Sequence, residues 1–128
     1  MNARHFLNYI KEQGITFRKY TLGTVEEEVS DSLCVYKRSG TAGVWEYDKN
    51  HSTIYPVGIV YTGTKNYTET EQKIEELFQS LVFTLHQDLD DTDIIFSVLP
   101  HNNSTPRFIG KNDAGFYQWS IDFDLQTD

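Results

Sequence analysis

Apolar positions along this 128-residue chain change period several times, and each change marks an element. Residues 2–13 read as a short amphipathic helix with Phe6, Leu7 and Ile10 on one face, and Gly14 is a natural C-terminal cap. Ile15, Phe17 and the stretch to Leu22 offer a first strand, which Gly23 ends. Thr24 to Ser30, with three consecutive glutamates, reads as an exposed connection. Leu33 to Lys37 is rich in strand formers and is closed by Ser39-Gly40. Ile54 to Thr62 is nearly continuous in apolar residues, which predicts a central strand covered on both faces. Pro56 cannot donate to a ladder, so it must lie at that strand's start or at an edge; Gly63 closes the strand.

The clearest helix follows. Ile74, Leu77, Phe78, Leu81, Val82 and Leu85 recur at helical spacing, with Glu75, Glu76 and Gln79 outward. Thr68 or Thr70 can cap its start, Glu71 stands at capping-box spacing from Thr68, and Glu69 and Glu71 favour the positive end of the helix dipole. Burying those six apolar side chains contributes roughly 9–18 kcal/mol gross at about 1.5–3 each. Ordering the helix offsets most of it. After the acidic turn Asp88–Asp93 comes a strand from Ile94 to Leu99, ended by Pro100, and then a polar loop from His101 to Pro106. Arg107 to Gly110 leads into a turn at Lys111–Gly115. In the last strand, Phe116 to Leu125, Tyr117, Trp119, Ile121, Phe123 and Leu125 form an apolar face that should pack on the helices. The alternate set, Phe116, Gln118, Ser120, Asp122 and Asp124, is polar apart from Phe116. The order reads as an α+β fold with four to five strands and two or three helices. It forms a single domain over 1–128, with a long loop or protruding hairpin at about 40–53.

Composition narrows the function. The net charge of −8 argues against a free-standing nucleic-acid binder, because phosphate contacts need clustered Lys and Arg. Most of the excess lies between Glu69 and Asp93, where eight acids face one base. That run reads as a solvated helix face, or as a surface that repels DNA or steers a basic partner. Cys34 is the only cysteine, so no intramolecular disulfide or thiolate cluster can form, and its apolar strand context marks a buried structural thiol. The N-terminus lacks the apolar core of a signal peptide, and no stretch reaches the ~18 apolar residues of a membrane span. The expected place is a reducing cytoplasm, where the sequons at Asn50, Asn66, Asn102 and Asn103 mean little.

No catalytic constellation emerges. Asp88, Asp90, Asp91 and Asp93 supply hard oxygen ligands, but an EF-hand loop counted from Asp88 would need Gly at Asp93 and Glu at Leu99. A solvated acidic turn is the plainer reading. His5, His51, His86 and His101 lie in separate segments, and only His86 has a carboxylate at i+4, Asp90. That does not make a zinc site, and no Walker loop, GxGxxG or nucleophile elbow occurs. A Cys34–His pair conflicts with the apolar surroundings of the thiol. The chain therefore reads as a non-enzyme without metal or cofactor. Its candidate interaction residues are aromatic and basic: Trp45 and Tyr47 in the 40–53 excursion, and Arg107, Phe108, Lys111 and Asp113 in the Arg107–Asp113 loop. Trp45 and Tyr47 either fold back into the core or anchor a partner. The second segment is either a connection with a solvated lysine or a contact surface.

The order of segments resembles the tail terminator, or minor capsid, proteins of long-tailed bacteriophages. The resemblance spans most of the chain. It rests on the N-terminal helix ending near Gly14-Ile15, the strand around Ser32–Tyr36, the Tyr55–Val60 strand, the Ile74–Leu85 helix and the closing Pro106–Phe123 segment, the most telling part. It implies a mixed, mainly antiparallel sheet flanked by helices, and a six-fold ring whose subunits can be monomeric in dilute solution. It implies that the ring caps the tail tube, ends its polymerisation and presents a surface for head joining. The implied partners are further copies of the chain, the tail tube protein and a head-completion or connector protein. DNA would pass through without specific binding. The chain departs from the family pattern in its Gly40–Thr53 excursion. Two other classes fit the residues: another head–tail connector or minor tail protein, and an acidic cytoplasmic inhibitor module that makes a tight one-to-one complex with a basic partner.

Overall fold

The computed structural model describes residues 2–38, 53–82, 87–89 and 94–127. The first helix, α1 (Ala3–Lys11), is capped reciprocally: the Asn2 side chain accepts from the His5 amide at 3.2 Å, and His5 Nδ1 accepts from the Asn2 amide at 2.9 Å. The helix buries Phe6, Leu7, Tyr9 and Ile10 and ends at Glu12, short of Gly14, whose φ of +82° turns the chain away. The first strand, β1 (Lys19–Leu22), starts later than the sequence pattern predicts. Phe17 leaves the sheet direction to pack edge-on against Tyr20 and Tyr61, at centroid distances of 5.8 and 5.3 Å.

The strands β2 (Ser32–Lys37) and β3 (Thr53–Thr62) follow, then the helix α2 (Tyr67–Val82). Four more strands complete the order: β4 (Gln87–Leu89), β5 (Ile94–Pro100), β6 (Arg107–Lys111) and β7 (Tyr117–Thr127). Six strands lie in the order β1-β2-β3-β7-β5-β4, and β6 pairs with β7 beside that path. Among the described residues only the β1–β2 pair is parallel. The fold is thus α+β with a mixed, mainly antiparallel sheet, and with more strands than the expected four to five. The surplus is β4, whose Gln-Asp-Leu carries little strand signal and which takes up Asp88 from the expected acidic turn, and β6, expected as a loop.

The strand β3 is central as expected, paired with β2 on one side and β7 on the other. Pro56 sits just past the last β2 pair, Lys37–Val57, and its carbonyl accepts from the Arg38 amide at 3.1 Å. The missing N–H therefore faces the point where the β2 ladder stops, and pairing of Pro56 with Asp124 continues on the other side. Coverage differs from the expectation. Both helices pack on one face of the sheet, where Phe123 meets Phe6 of α1 and Phe78 of α2. Val57, Ile59 and Tyr61 are buried on that face, with Trp119, Ile121, Phe123 and Leu125 of β7. No helix of the described residues covers the opposite face. There the connection between β1 and β2 closes one end: Ser32 Oγ donates to the carbonyls of Glu26 and Val29, and Asn112 Nδ2 donates to that of Glu27. Gln118 and Ser120, on the polar side of β7, are buried there.

The start of α2 corrects a further expectation. Asn66 caps it, its Oδ1 accepting from the Glu69 amide at 3.1 Å. Thr68 is exposed, and Thr70 is buried with its hydroxyl bonded to the Tyr67 carbonyl. Ile74, Leu77, Phe78 and Leu81 are buried and Val82 partly so, while Glu75, Glu76 and Gln79 face outward; Leu85 lies outside the described residues.

Candidate functional site

Three of the five large hydrophobic side chains exposed among the described residues are Tyr67, Phe108 and Ile109, at 39%, 43% and 52%. Sheet geometry brings two of them together. The strand β6 runs antiparallel to β7 with Phe108 opposite Trp119, and a bulge between Phe108 and Gly110 shifts the register. Gly110 accommodates the bulge at a φ of +146°, a conformation that side-chain-bearing residues rarely adopt. The reversal into β7 is held by Asn112, whose amide donates to the Phe116 carbonyl and whose Oδ1 accepts from the Phe116 amide.

Tyr67, at the first position of α2, completes an aromatic cluster. Its ring lies 5.5 Å from Phe108, 5.4 Å from Tyr117 and 5.6 Å from Trp119, and Phe108 lies 5.1 Å from Trp119. Trp119 is the buried floor, and its indole N–H has no hydrogen-bond partner among the described residues. Desolvation among the rings and the hydrogen bond to Glu71 push the Tyr67 phenol above its ordinary pKa.

Two lysines stand near aromatic rings at this end of the sheet. Lys111 Nζ stands 5.7 Å from the Tyr117 centroid and Lys65 Nζ 5.8 Å from that of Phe116. The Arg107 side chain, 65% exposed, reaches Asp122 at 3.8 Å. Lys111 thus flanks the aromatic cluster, while Arg107, opposite Ser120 in the register, lies on the other face of the sheet from Phe108. Nothing in it resembles a catalytic set.

The structure thus places Arg107, Phe108 and Lys111 of the sequence candidates on one strand instead of the expected loop, with Arg107 on the sheet face opposite Phe108. Asp113 is exposed in the adjoining turn. Trp45 and Tyr47 lie outside the described residues. Sequence reasoning missed Tyr67, Ile109 and Lys65. A signal was available for Ile109: Phe108 and Ile109 are adjacent, so an extended chain cannot bury both on one face.

Cys34 is buried as expected and borders an open cavity of about 810 Å³ at the β1–β2 edge, with Leu22, Val25, Tyr36, Val60, Arg4 and Lys37 among its other walls. No histidine lines it, so no Cys–His pair forms there. Among the described residues no group of three His, Cys, Asp or Glu side chains is placed to hold a metal; His51, His86 and Asp90 to Asp93 lie outside them. No helix of the described residues is long and apolar enough to cross a membrane.

Fold and surface together define an α+β protein whose exposed aromatic side chains concentrate on an outer strand and the adjoining helix start. The chain belongs to a bacteriophage tail terminator family: the family model described as bacteriophage tail terminator protein matches residues 9–128. It is accordingly a structural protein of the phage tail, as the resemblance implied. Comparison with curated protein sequences gave no match.

Proposed function

We propose that this chain, folding as one domain, assembles into a ring that caps the finished tail tube, stops its polymerisation and offers the surface to which the head is joined. The family match over residues 9–128 carries the reading. The exposed aromatic strand supports it, because a chain that meets copies of itself and a tube needs adhesive surface beyond its own core. The partners are further copies, six in the ring, with the tail tube protein on one side and a head-completion or connector protein on the other. Assembly takes place in the host cytoplasm, and subunits can remain monomeric when dilute. The net charge of −8 suits a lumen through which DNA slides without being held. The role is structural, with no catalysis and no cofactor. Arg107, Phe108, Lys111 and Asp113 are contact residues in this reading, with Trp45 and Tyr47 as further anchors.

Electron microscopy of purified tail tube protein polymerising with and without this chain is the test. Tubes of limited length with a ring at one end are expected. Tubes that grow on unaffected would overturn the terminator role, and a tight one-to-one complex with a basic protein would replace it by the inhibitor reading.

A further inference from the structure

We infer that the open cavity at the end of β1 receives an extended segment of a partner protein in which apolar and acidic residues alternate. The inference goes beyond the ring reading and stands without it. Its ground is the sheet edge. The strand β1 pairs with β2 from Lys19–Ser32 to Leu22–Val35 and then leaves, while β2 stays paired with β3 as far as Lys37. The Arg38 amide donates towards β3, to the Pro56 carbonyl, and the Val35 carbonyl accepts from Gly23 on the outer side. Backbone groups alternate in this way along an antiparallel pair, so Lys37 turns its amide and carbonyl outward like Val35. Among the described residues β1 offers them no partner. The end of β2 is therefore an unpaired edge, the kind to which an extended peptide adds.

The cavity of about 810 Å³ wraps round this edge, and its two sides differ in chemistry. The register places Cys34, Tyr36 and Val60 on the face opposite the helices, and Val25, 37% exposed, adds a further apolar wall from the connection. Lys37 lies on the helix face with Val35, its Nζ 5.3 Å from the Tyr55 centroid, and Arg4 lines the cavity from the first turn of α1. Neither cation makes an ion pair among the described residues, and none of the described residues lining the cavity is a carboxylate. A chain laid along the edge points successive side chains to opposite faces. One position then meets the apolar wall and the next meets Arg4 and Lys37, so charge complementarity selects acidic residues in alternation with apolar ones. A segment with lysines in the acidic places, or without apolar residues, leaves one side of the cavity unmatched.

The probe is a fluorescein-labelled hexapeptide of alternating valine and glutamate, titrated with the full chain to millimolar concentration. Anisotropy reads binding, amide hydrogen exchange by NMR reads the edge, and circular dichroism confirms folding. Saturable binding is expected, with slower exchange of the Lys37 amide in the complex. Peptides of alternating valine and lysine, or of serine and glutamate, should bind about tenfold more weakly or less. Arg4→Glu with Lys37→Glu should weaken binding by about tenfold or more, and Val25→Asp on the order of fivefold. Lys65→Glu with Lys111→Glu, an equal charge change away from the cavity, should leave it intact. Should the double reversal unfold the chain, Arg4→Gln and Lys37→Gln read the same contact with smaller effects. A lysine peptide that binds as well, a Lys37 amide that exchanges unchanged at saturation, or folded cavity variants that bind like the wild type would each overturn the inference. So would a peptide that stays unbound at millimolar concentration. Sedimentation velocity separates the remaining occupant: self-association abolished by the Arg4 and Lys37 reversals, with the peptide unbound, would give this edge to a second copy and overturn the partner segment. None of these outcomes bears on the cap, which the tube polymerisation experiment decides.

Discussion

The Tyr61 hydroxyl donates to the Asp31 carboxylate at 2.8 Å, and the same carboxylate oxygen receives the Lys73 ammonium at 2.8 Å, so a central strand, a connection and a helix meet at one atom. Asp31 sits at a φ of +56°, and its amide and carbonyl bond to Gly63 and Arg18, which fixes the carboxylate in place. Burial first, and then the bond to Asp31, push the Tyr61 phenol far above its ordinary pKa. The folded chain therefore keeps a proton that the unfolded chain releases above about pH 10. The unfolded state binds fewer protons there, and stability falls as pH rises. Below that range this group contributes no slope. Tyr61→Phe should lose about 1.5–3 kcal/mol at neutral pH, for a hydrogen bond to a charged partner, and should show a shallower alkaline decline in urea midpoints than the wild type. Equal alkaline slopes for the two proteins would remove Tyr61 as the cause.

Arg38 spans two strands on the face away from the helices. Its Nε donates to the Val57 carbonyl at 3.0 Å, and Nη2 donates to the Phe123 carbonyl at 3.0 Å and to the Asp124 carboxylate, which also meets His101 Nδ1 at 2.9 Å. A lysine keeps the charge but not the planar fork, and cannot serve these acceptors in one plane. Arg38→Lys should therefore lower stability by about 1–3 kcal/mol in urea unfolding, close to the loss for Arg38→Met. Full retention by Lys would show that charge alone suffices.

The parts of the fold readable in the sequence are those where one period dominates. The β7 face of Tyr117, Trp119, Ile121, Phe123 and Leu125 and the α2 stripe of Ile74, Leu77, Phe78 and Leu81 follow the alternation and the helical repeat, because the apolar side chains of each element lie on one side. Boundaries were less legible. Nothing local tells that Phe17 packs as a single residue ahead of β1, since its ring meets Tyr20 and the distant Tyr61. Thr68 satisfied the capping pattern, yet Asn66 took the role, because the helix starts at Tyr67 to place that ring on Phe108 and Trp119. The pattern at Arg107–Lys111 also misled. An outer strand with both faces exposed has no alternation to show, and its pairing is dictated by the neighbouring β7.

Leu77 tests the helical layer directly. It is fully buried at the middle of the α2 stripe, among side chains of the same core cluster. Leu77→Ala should cost about 2–5 kcal/mol through lost burial and a residual cavity. Leu77→Asp, which places an unpaired carboxylate in the same space, should leave the domain unfolded. A cooperative thermal transition for Leu77→Asp near that of the wild type would show that this face is not core.

Two glycines next to side chains separate rigid from yielding contacts. A Cβ on Gly58 would meet the outer end of the Tyr36 ring, which lies across the strand and is only partly buried, so the ring can swing outward. A Cβ on Gly63 would meet Thr70, whose branched Cβ stands close to the α2 backbone and whose hydroxyl is tied to the Tyr67 carbonyl. Gly63 is also pinned by its own hydrogen bonds, donating to the Tyr117 carbonyl and accepting from the Asp31 amide. Relief there requires moving α2 or the strand end. Gly63→Ala should therefore lose roughly 2–3 kcal/mol in chemical denaturation, and Gly58→Ala under about 1 kcal/mol. Adding Thr70→Ser to Gly63→Ala, which deletes the nearest methyl and keeps the hydroxyl, should recover part of the loss, whereas adding it to Gly58→Ala should recover nothing. Equal losses at the two glycines would mean that α2 yields as readily as a partly exposed ring.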